Sequence, residues 1–414
     1  MGRYHSSTPE GSMNDSVKLA NRPMYFFLMV LTISSTVGLQ TWRTLFDNFS
    51  VRVVGLDGSQ IGVIQSIREI PGFLALLVIF VMLLFKEHKI SSLSIVTLGL
   101  GVALTGLFPS YIGLIGTTLI MSLGFHYYET TFQSLTLQYF DQKQSPLVFG
   151  RMRSIGAASN IAIGALIFVL EPLFSFSQLY LLLGGIILLA GLWSFTRNPV
   201  NRDLEPQRKR MVFRKRYWLY YFLTFMAGAR RQIFVAFAVF LLVSRFDFTV
   251  QEITILFVIN NVVNYFLSPL IGKAIVRFGE RWVLSGEYFS LIFIFLAYTI
   301  ADSKLLVAGL YIADHIFFNF AIAIRTFFQK IGETRDIAPS MAMGFTINHI
   351  GAVAFPVMGG LLWMIDFRIP FVVGAFLSLL SLTAVQLIPG QIRKASARSK
   401  VIAGLPPAMQ PGSE

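Results

Sequence analysis

The chain contains no cysteine, which excludes disulfides and thiolate metal sites together. Charge is also scarce: Asp, Glu, Lys and Arg make up 13% of the 414 residues, against roughly 25% in an ordinary soluble domain. The first twenty residues, "MGRYHSSTPEGSMNDSVKLA", lack the apolar core of a cleavable signal peptide and read as a polar tail. No phosphate-binding glycine loop, nucleophile constellation or metal-ligand cluster is evident, so no enzyme and no cofactor are expected. What remains is apolar: 55% of the residues are hydrophobic and the mean hydropathy is +0.66. Lipid is therefore the solvent for most of the chain.

A hydrocarbon core about 30 Å thick takes about 20 apolar residues per helix. That length predicts twelve spans, near 23–51, 59–85, 90–108, 112–140, 147–171, 177–196, 217–245, 251–276, 281–300, 304–331, 338–365 and 370–388. With the N-terminus inside, the outer loops hold only Arg52, Arg245, Lys304 and Arg368. The remaining loop cations lie on the inner side, which puts both termini in the cytoplasm. The net charge of +13 is then a topological signal and a contact for anionic lipid, and nucleic acid is not expected as a partner. The linker "RNPVNRDLEPQRKRMVFRKRYW" concentrates this charge and divides the spans six and six. The expected organisation is an all-α membrane protein of two pseudo-symmetric six-helix bundles, 23–196 and 217–388. A basic linker at 197–216 joins them, with cytoplasmic tails at 1–22 and 389–414. A monomer in a bacterial inner membrane is the expected setting.

The halves carry matching signals. "GSQIGVIQSI" opens the second span and "VQEITILFVI" the eighth, pairing Ile61 with Ile253. "IGAASNIAIGAL" in the fifth pairs with "IGAVAFPVMGGL" in the eleventh, including Gly156 with Gly351 and Gly164 with Gly359. Small residues at such positions let helices approach closely. Matched halves are the construction of a rocking transporter with its site at the repeat interface.

The loop "GKAIVRFGERWVL" resembles the cytoplasmic loop motif of the major facilitator superfamily through Gly272, Arg277, Gly279 and Arg281, with Val276 where an acid is usual. "FGRMRSIGA" resembles the opening of the fifth helix in the lactose-permease-like branch, through Phe149, Gly150, Arg151, Arg153 and Gly156. The resemblance implies the twelve-helix fold of that superfamily, alternating access, and gating roles for Gly272, Arg277 and Arg281. Arg153, near the cytoplasmic mouth, is expected at a gate by its depth. The first-half loop "FKEHKISS" lacks the pattern.

Guanidinium groups at bilayer depth must face a wet cavity or a partner. Arg43, Arg68, Arg151, Arg153, Arg230, Arg231 and Arg325 fall in spans, and the acids noted at similar depth are Glu69, Glu129 and Asp314, with Asp47 nearer the outer end. The surplus suits an anionic small-molecule substrate. Gln40 and Gln232 lie the same distance upstream of Ile61 and Ile253. That alignment places Arg231 one turn deeper than Arg43 on the equivalent face. Two such arginines across a pseudo-twofold axis would clamp carboxylate or phosphate oxygens, an arrangement similar to that of the organophosphate/phosphate antiporters. The alternative is structural pairing between helices. Arg230, about 100° around the helix from Arg231, is expected to meet an acid or a neighbouring helix. Arg68, Tyr128 and Arg325 complete the candidate substrate set.

Glu129, Asp314 and Glu69 are the candidates for proton coupling, because a carboxylate beside an arginine can exchange a proton for a substrate anion. His126 and Glu129 alone do not make a metal site, and none is expected. Two other readings stay open: an exporter of drugs or a sugar symporter, and a transporter-shaped protein that handles lipid or lysolipid.

Overall fold

In the computed structural model, the structure describes residues 21–56, 58–82, 84–200, 212–248 and 250–403. The tail before residue 21, the middle of the basic linker and the residues after 403 lie outside them. The described residues form helices α1 (Arg22–Phe49, prolonged by a π-helical turn at Ser50–Val54), α2 (Gly58–Phe73, then Leu74–Leu77 and Val78–Val81) and α3 (Glu87–Thr105). They continue with α4 (Tyr111–Tyr139), α5 (Ser145–Leu170) and α6 (Phe176–Thr196). The second half has α7 (Trp218–Gln232, a π-helical stretch Ile233–Ala238, then Val239–Phe246), α8 (Val250–Phe278), α9 (Glu280–Ile300) and α10 (Lys304–Phe318, Asn319–Ala321, Ile322–Ile331). It closes with α11 (Ile337–Ile365), α12 (Arg368–Val385) and α13 (Ile388–Ala403).

Among the described residues, nine helices are long and apolar enough to cross a membrane. Stretches α4, α7 and α11 fall outside that group, and they carry His126 and Glu129, Arg230 and Arg231, and Asn348 and His349. The tail beyond 388 begins as helix α13. Its Ile388 is buried and the helix packs on α10 and α9.

Local chemistry sets the short connections. Ser110 and Ser303 cap α4 and α10, each accepting a bond from a backbone N–H three residues on. Ser175 and Gln178 form a reciprocal capping box at α6. Gly279 sits at φ 80 between α8 and α9, a left-handed conformation that glycine adopts without steric cost. This explains why the "RFGER" loop needs its glycine. Pro71 lies inside α2, and the helix tightens to a 3-10 turn at Leu74.

Helices α1–α6 pack mainly among themselves, as do α7–α12. Two pairings cross between the groups on a large scale: α5 lies along α8, and α11 lies along α2. Exchanging the halves turns one pairing into the other, so the pseudo-twofold read from the repeats is present in three dimensions. The crossing contacts cluster at the end that carries the termini. There a Cβ on Gly150 would stand 2.4 Å from the Ser268 carbonyl oxygen, and one on Gly272 2.5 Å from that of Pro146. By contrast, Gly164, nearer the other end of α5, has open space around it and does not mediate close packing.

The same end is fastened by an amide. Gln329 Nε2 donates to the carbonyl oxygens of Leu137 and Phe140, both at 2.8 Å, and its Oε1 accepts from Ser145 Oγ at 2.6 Å. Across the other seam, Thr346 Oγ1 accepts from the Leu76 amide at 3.0 Å. Within the second half, Asp336 accepts from Arg214, Arg216 and Tyr217 and anchors the start of α7 to the α10–α11 turn.

Gln329→Ala is expected to weaken closure at this end by about 1–3 kcal/mol, the net worth of its hydrogen bonds. The chain lacks cysteine, so a single cysteine at Leu137 reports directly. Its maleimide labelling from the terminal side should rise roughly fivefold or more, and unchanged labelling would show that the amide is not a latch.

Candidate functional site

Between the two halves lies a cavity of about 760 Å³, with an adjoining space of about 330 Å³ toward α5 and α8. Arg43, Arg68, Arg153, Arg231 and Arg325 line the larger cavity together with Glu69 and Glu129. Five guanidinium groups thus face two carboxylates. Each comes from a different helix except Arg68 and Glu69, which are consecutive on α2. No single helix carries the charge density that the assembled cavity has.

The arginines divide by what they touch. Arg68 Nη2 bonds Glu69 Oε1 at 2.6 Å and its guanidinium stands 5.6 Å from the Trp42 ring centre. Arg325 stands 5.7 Å from the Phe149 ring. Among the described residues, Arg43, Arg153, Arg231 and Arg325 make no ion pair. Glu129 lies within electrostatic reach of Arg325 and Arg153. Gln40 lines the adjoining space and donates to Thr44 Oγ1 at 3.1 Å. Tyr128 is fully buried there, its hydroxyl 2.8 Å from Thr32 Oγ1. Gln232 is helical, and its side chain lies outside the described residues.

Arg153, expected at a gate, is a cavity residue. Arg281 bonds Gln386 at 2.8 Å within the second half, and Arg277 lies 5.4 Å from the ring of its neighbour Phe278. Neither makes a bond to the first half among the described residues. Gly272 does lie at the crossing of the halves. Asp314 is not in the central cavity. It lines a small void inside the second half with Arg230 and Glu287.

That void holds a group which sequence reasoning missed. Glu287 on α9 is buried, its Oε1 3.8 Å from Arg230 Nη2, and the Arg230 guanidinium lies 4.3 Å from the Tyr288 ring and bonds Ser381 Oγ. The available signal was a lone acid in the middle of an apolar span, "VLSGEYFSLIF". Gln329, which bonds across the halves, has no comparable signal, because a glutamine near a helix end is ordinary.

Another cluster joins both halves. Glu69 on α2, His126 on α4 and His349 on α11 each bring one ligand atom to within 4.8 Å of the others. His126 therefore meets Glu69 and His349, and not Glu129.

A family model described as Major Facilitator Superfamily matches residues 19–335. The chain is 25% identical over 205 residues to Multidrug resistance protein 1 of Bacillus subtilis (strain 168), a match covering 48% of the chain and 52% of that relative. The chain thus spans about half the length of this relative. Among solved structures, the transporter FucP in its outward conformation superposes with TM-score 0.72 at 14% identity, covering 88% of this chain and 98% of that one. The human organic anion transporter MFSD10 (TETRAN) gives TM-score 0.70 at 11% identity, covering 88% and 99%. A bacterial homologue of the iron transporter ferroportin, outward-facing, gives 0.69 at 14%, covering 90% and 99%.

Proposed function

The chain belongs to the Major Facilitator Superfamily, and on that premise we propose that this transporter moves a small organic or phosphorylated anion by alternating access. Proteins named for fucose, organic anions and iron share the fold, so the cargo has to be argued from the cavity. One observation carries the reading: five arginines and two acids line the 760 Å³ space. A guanidinium fork matches carboxylate and phosphate oxygens in pairs. An anion that occupies the cavity supplies the charge that the protein leaves out.

With both termini in the cytoplasm, closure at their end makes this conformation open to the outside. Of the proton-coupling candidates, Glu69 and Glu129 line the cavity, and Glu69 is already engaged by Arg68, which leaves Glu129. It stands among Arg153 and Arg325, so an arriving anion competes with it for those guanidiniums, and protonation of Glu129 frees them. Proton symport or anion exchange follows from the same geometry.

The similarity to Multidrug resistance protein 1 makes drug export the second reading. A lipophilic cation is disfavoured by an arginine surplus, which directs that reading toward neutral or acidic amphipaths. Thermal unfolding of the detergent-purified protein against carboxylates, phosphate esters, sugars, lipophilic cations and lysolipids separates the cases. A ligand at 100 times its Kd adds about 2.7 kcal/mol to folded-state stability. Anions are expected to give this shift. Stabilisation confined to sugars, cations or lysolipids would overturn the anionic reading.

A further inference from the structure

We propose that Glu69, His126 and His349 form a binding site for a divalent transition-metal ion across the seam between the two halves.

The hydrogen bonds around the two imidazoles define which nitrogen is available. The Ser122 hydroxyl donates to the Arg68 carbonyl oxygen, so it accepts from His126 Nδ1, 2.9 Å away. The Ser122 carbonyl, also 2.9 Å from Nδ1, can only accept. His126 therefore carries its proton on Nδ1. His349 Nδ1 lies 2.9 Å from the Phe345 carbonyl oxygen, which fixes the same tautomer. Both rings are left with the Nε2 lone pair, the arrangement in which outer partners hold a histidine for metal ligation.

Those lone pairs converge on a carboxylate without being satisfied by it. His349 Nε2 is 3.9 Å from Glu69 Oε2, too long for a hydrogen bond. The ring centres of His126 and His349 are 5.2 Å apart, edge to face. Bond lengths of about 2.0–2.2 Å place two ligands of a tetrahedral ion roughly 3.4 Å apart, so closing the group takes movements of about 1 Å. Three protein ligands leave a fourth position facing the cavity that all of them line. The nearby cations oppose an ion only in part: Arg68 is engaged by Glu69 Oε1, and Arg231 faces the wet cavity.

Gly72 is the second, independent observation. A Cβ at position 72 would stand 2.6 Å from His349 Cδ2 and Nε2 and 2.7 Å from His126 Cδ2. The absence of a side chain on α2 is what lets the two imidazoles meet. Because α2 and α4 belong to one half and α11 to the other, an ion held by all three ligands binds best while the terminal end is closed. The inference goes beyond the anionic cargo and does not depend on it, since its readout is metal binding in the absence of any anion from the cargo panel.

The test uses Co2+ and the full chain in detergent without a histidine tag. Wild type is expected to bind one Co2+ per chain by equilibrium dialysis, with visible absorption bands of a nitrogen-ligated, low-coordinate ion. His126→Ala/His349→Ala should lose binding at least tenfold. Gly72→Ala keeps every ligand but displaces the rings, and should weaken binding and alter the bands. Absence of those bands in wild type would overturn the proposal without reference to any variant. Equal binding by wild type and the double variant would overturn it as well.

Discussion

Arg231→Gln is expected to lower kcat/KM for the anionic cargo by about 30-fold or more, while the cargo-free protein melts within a few degrees of wild type. The two halves of this expectation have separate physical grounds. Arg231 lines the central cavity, and among the described residues it has no ion-pair partner. Removing its charge thus leaves no buried carboxylate uncompensated in the empty protein. With an anion bound, the guanidinium becomes half of a desolvated charge pair, and truncating one partner of such a pair costs about 2–5 kcal/mol. The lower figure corresponds to roughly a 30-fold loss. Arg231→Lys keeps the charge but not the planar fork, and should recover part of the rate for phosphate esters and less for carboxylates. Uptake of an identified anion at the wild-type rate by Arg231→Gln would remove the cavity arginines from cargo recognition.

How much of this was legible in the chain depends on the kind of information each feature needs. The helical rods follow from runs of apolar residues about 20 long, and the expected spans agree with the observed helices to within a few residues. The pseudo-twofold was readable because the pairs 61/253 and 155/350 sit on the helices that form the two seams. The different surroundings of Arg230 and Arg231 follow from helical periodicity, since adjacent residues point about 100° apart. What could not be read is the partner of each charge. Glu287 pairs with a residue 57 positions earlier in the chain, and Glu69, His126 and His349 meet only because three helices from two halves converge at Gly72. Motif resemblance was the weaker guide. It emphasised Arg277 and Arg281, whereas among the described residues the amide that bonds across the halves at the terminal end is Gln329.

Arg230→Met should produce the opposite phenotype to Arg231→Gln, a loss of stability with no specific effect on cargo recognition. Arg230 is 4% exposed. It faces Glu287 and Asp314 in the void inside the second half, and stands over the Tyr288 ring. Two buried acids share one guanidinium, and one oxygen of each, Glu287 Oε2 and Asp314 Oδ2, has no hydrogen-bond partner. Deleting the cation leaves both acids without compensation in a low-dielectric site, a change that costs about 3–5 kcal/mol. That loss corresponds to a fall in apparent melting temperature of about 3–6 °C for a chain of 414 residues. The carboxylates are the source of the penalty, so Arg230→Met combined with Glu287→Gln and Asp314→Asn should recover most of it. In the wild-type background the same two neutral substitutions strand Arg230 and should themselves destabilise. Thermal unfolding of the four proteins forms a cycle whose coupling term measures the cluster. Additive losses would mean that the three groups are independently solvated, and that the void is wetter than its lining of Ala227, Leu291, Phe295 and Phe318 implies. A strong coupling would establish that Arg230 holds the second half together through the two acids it faces.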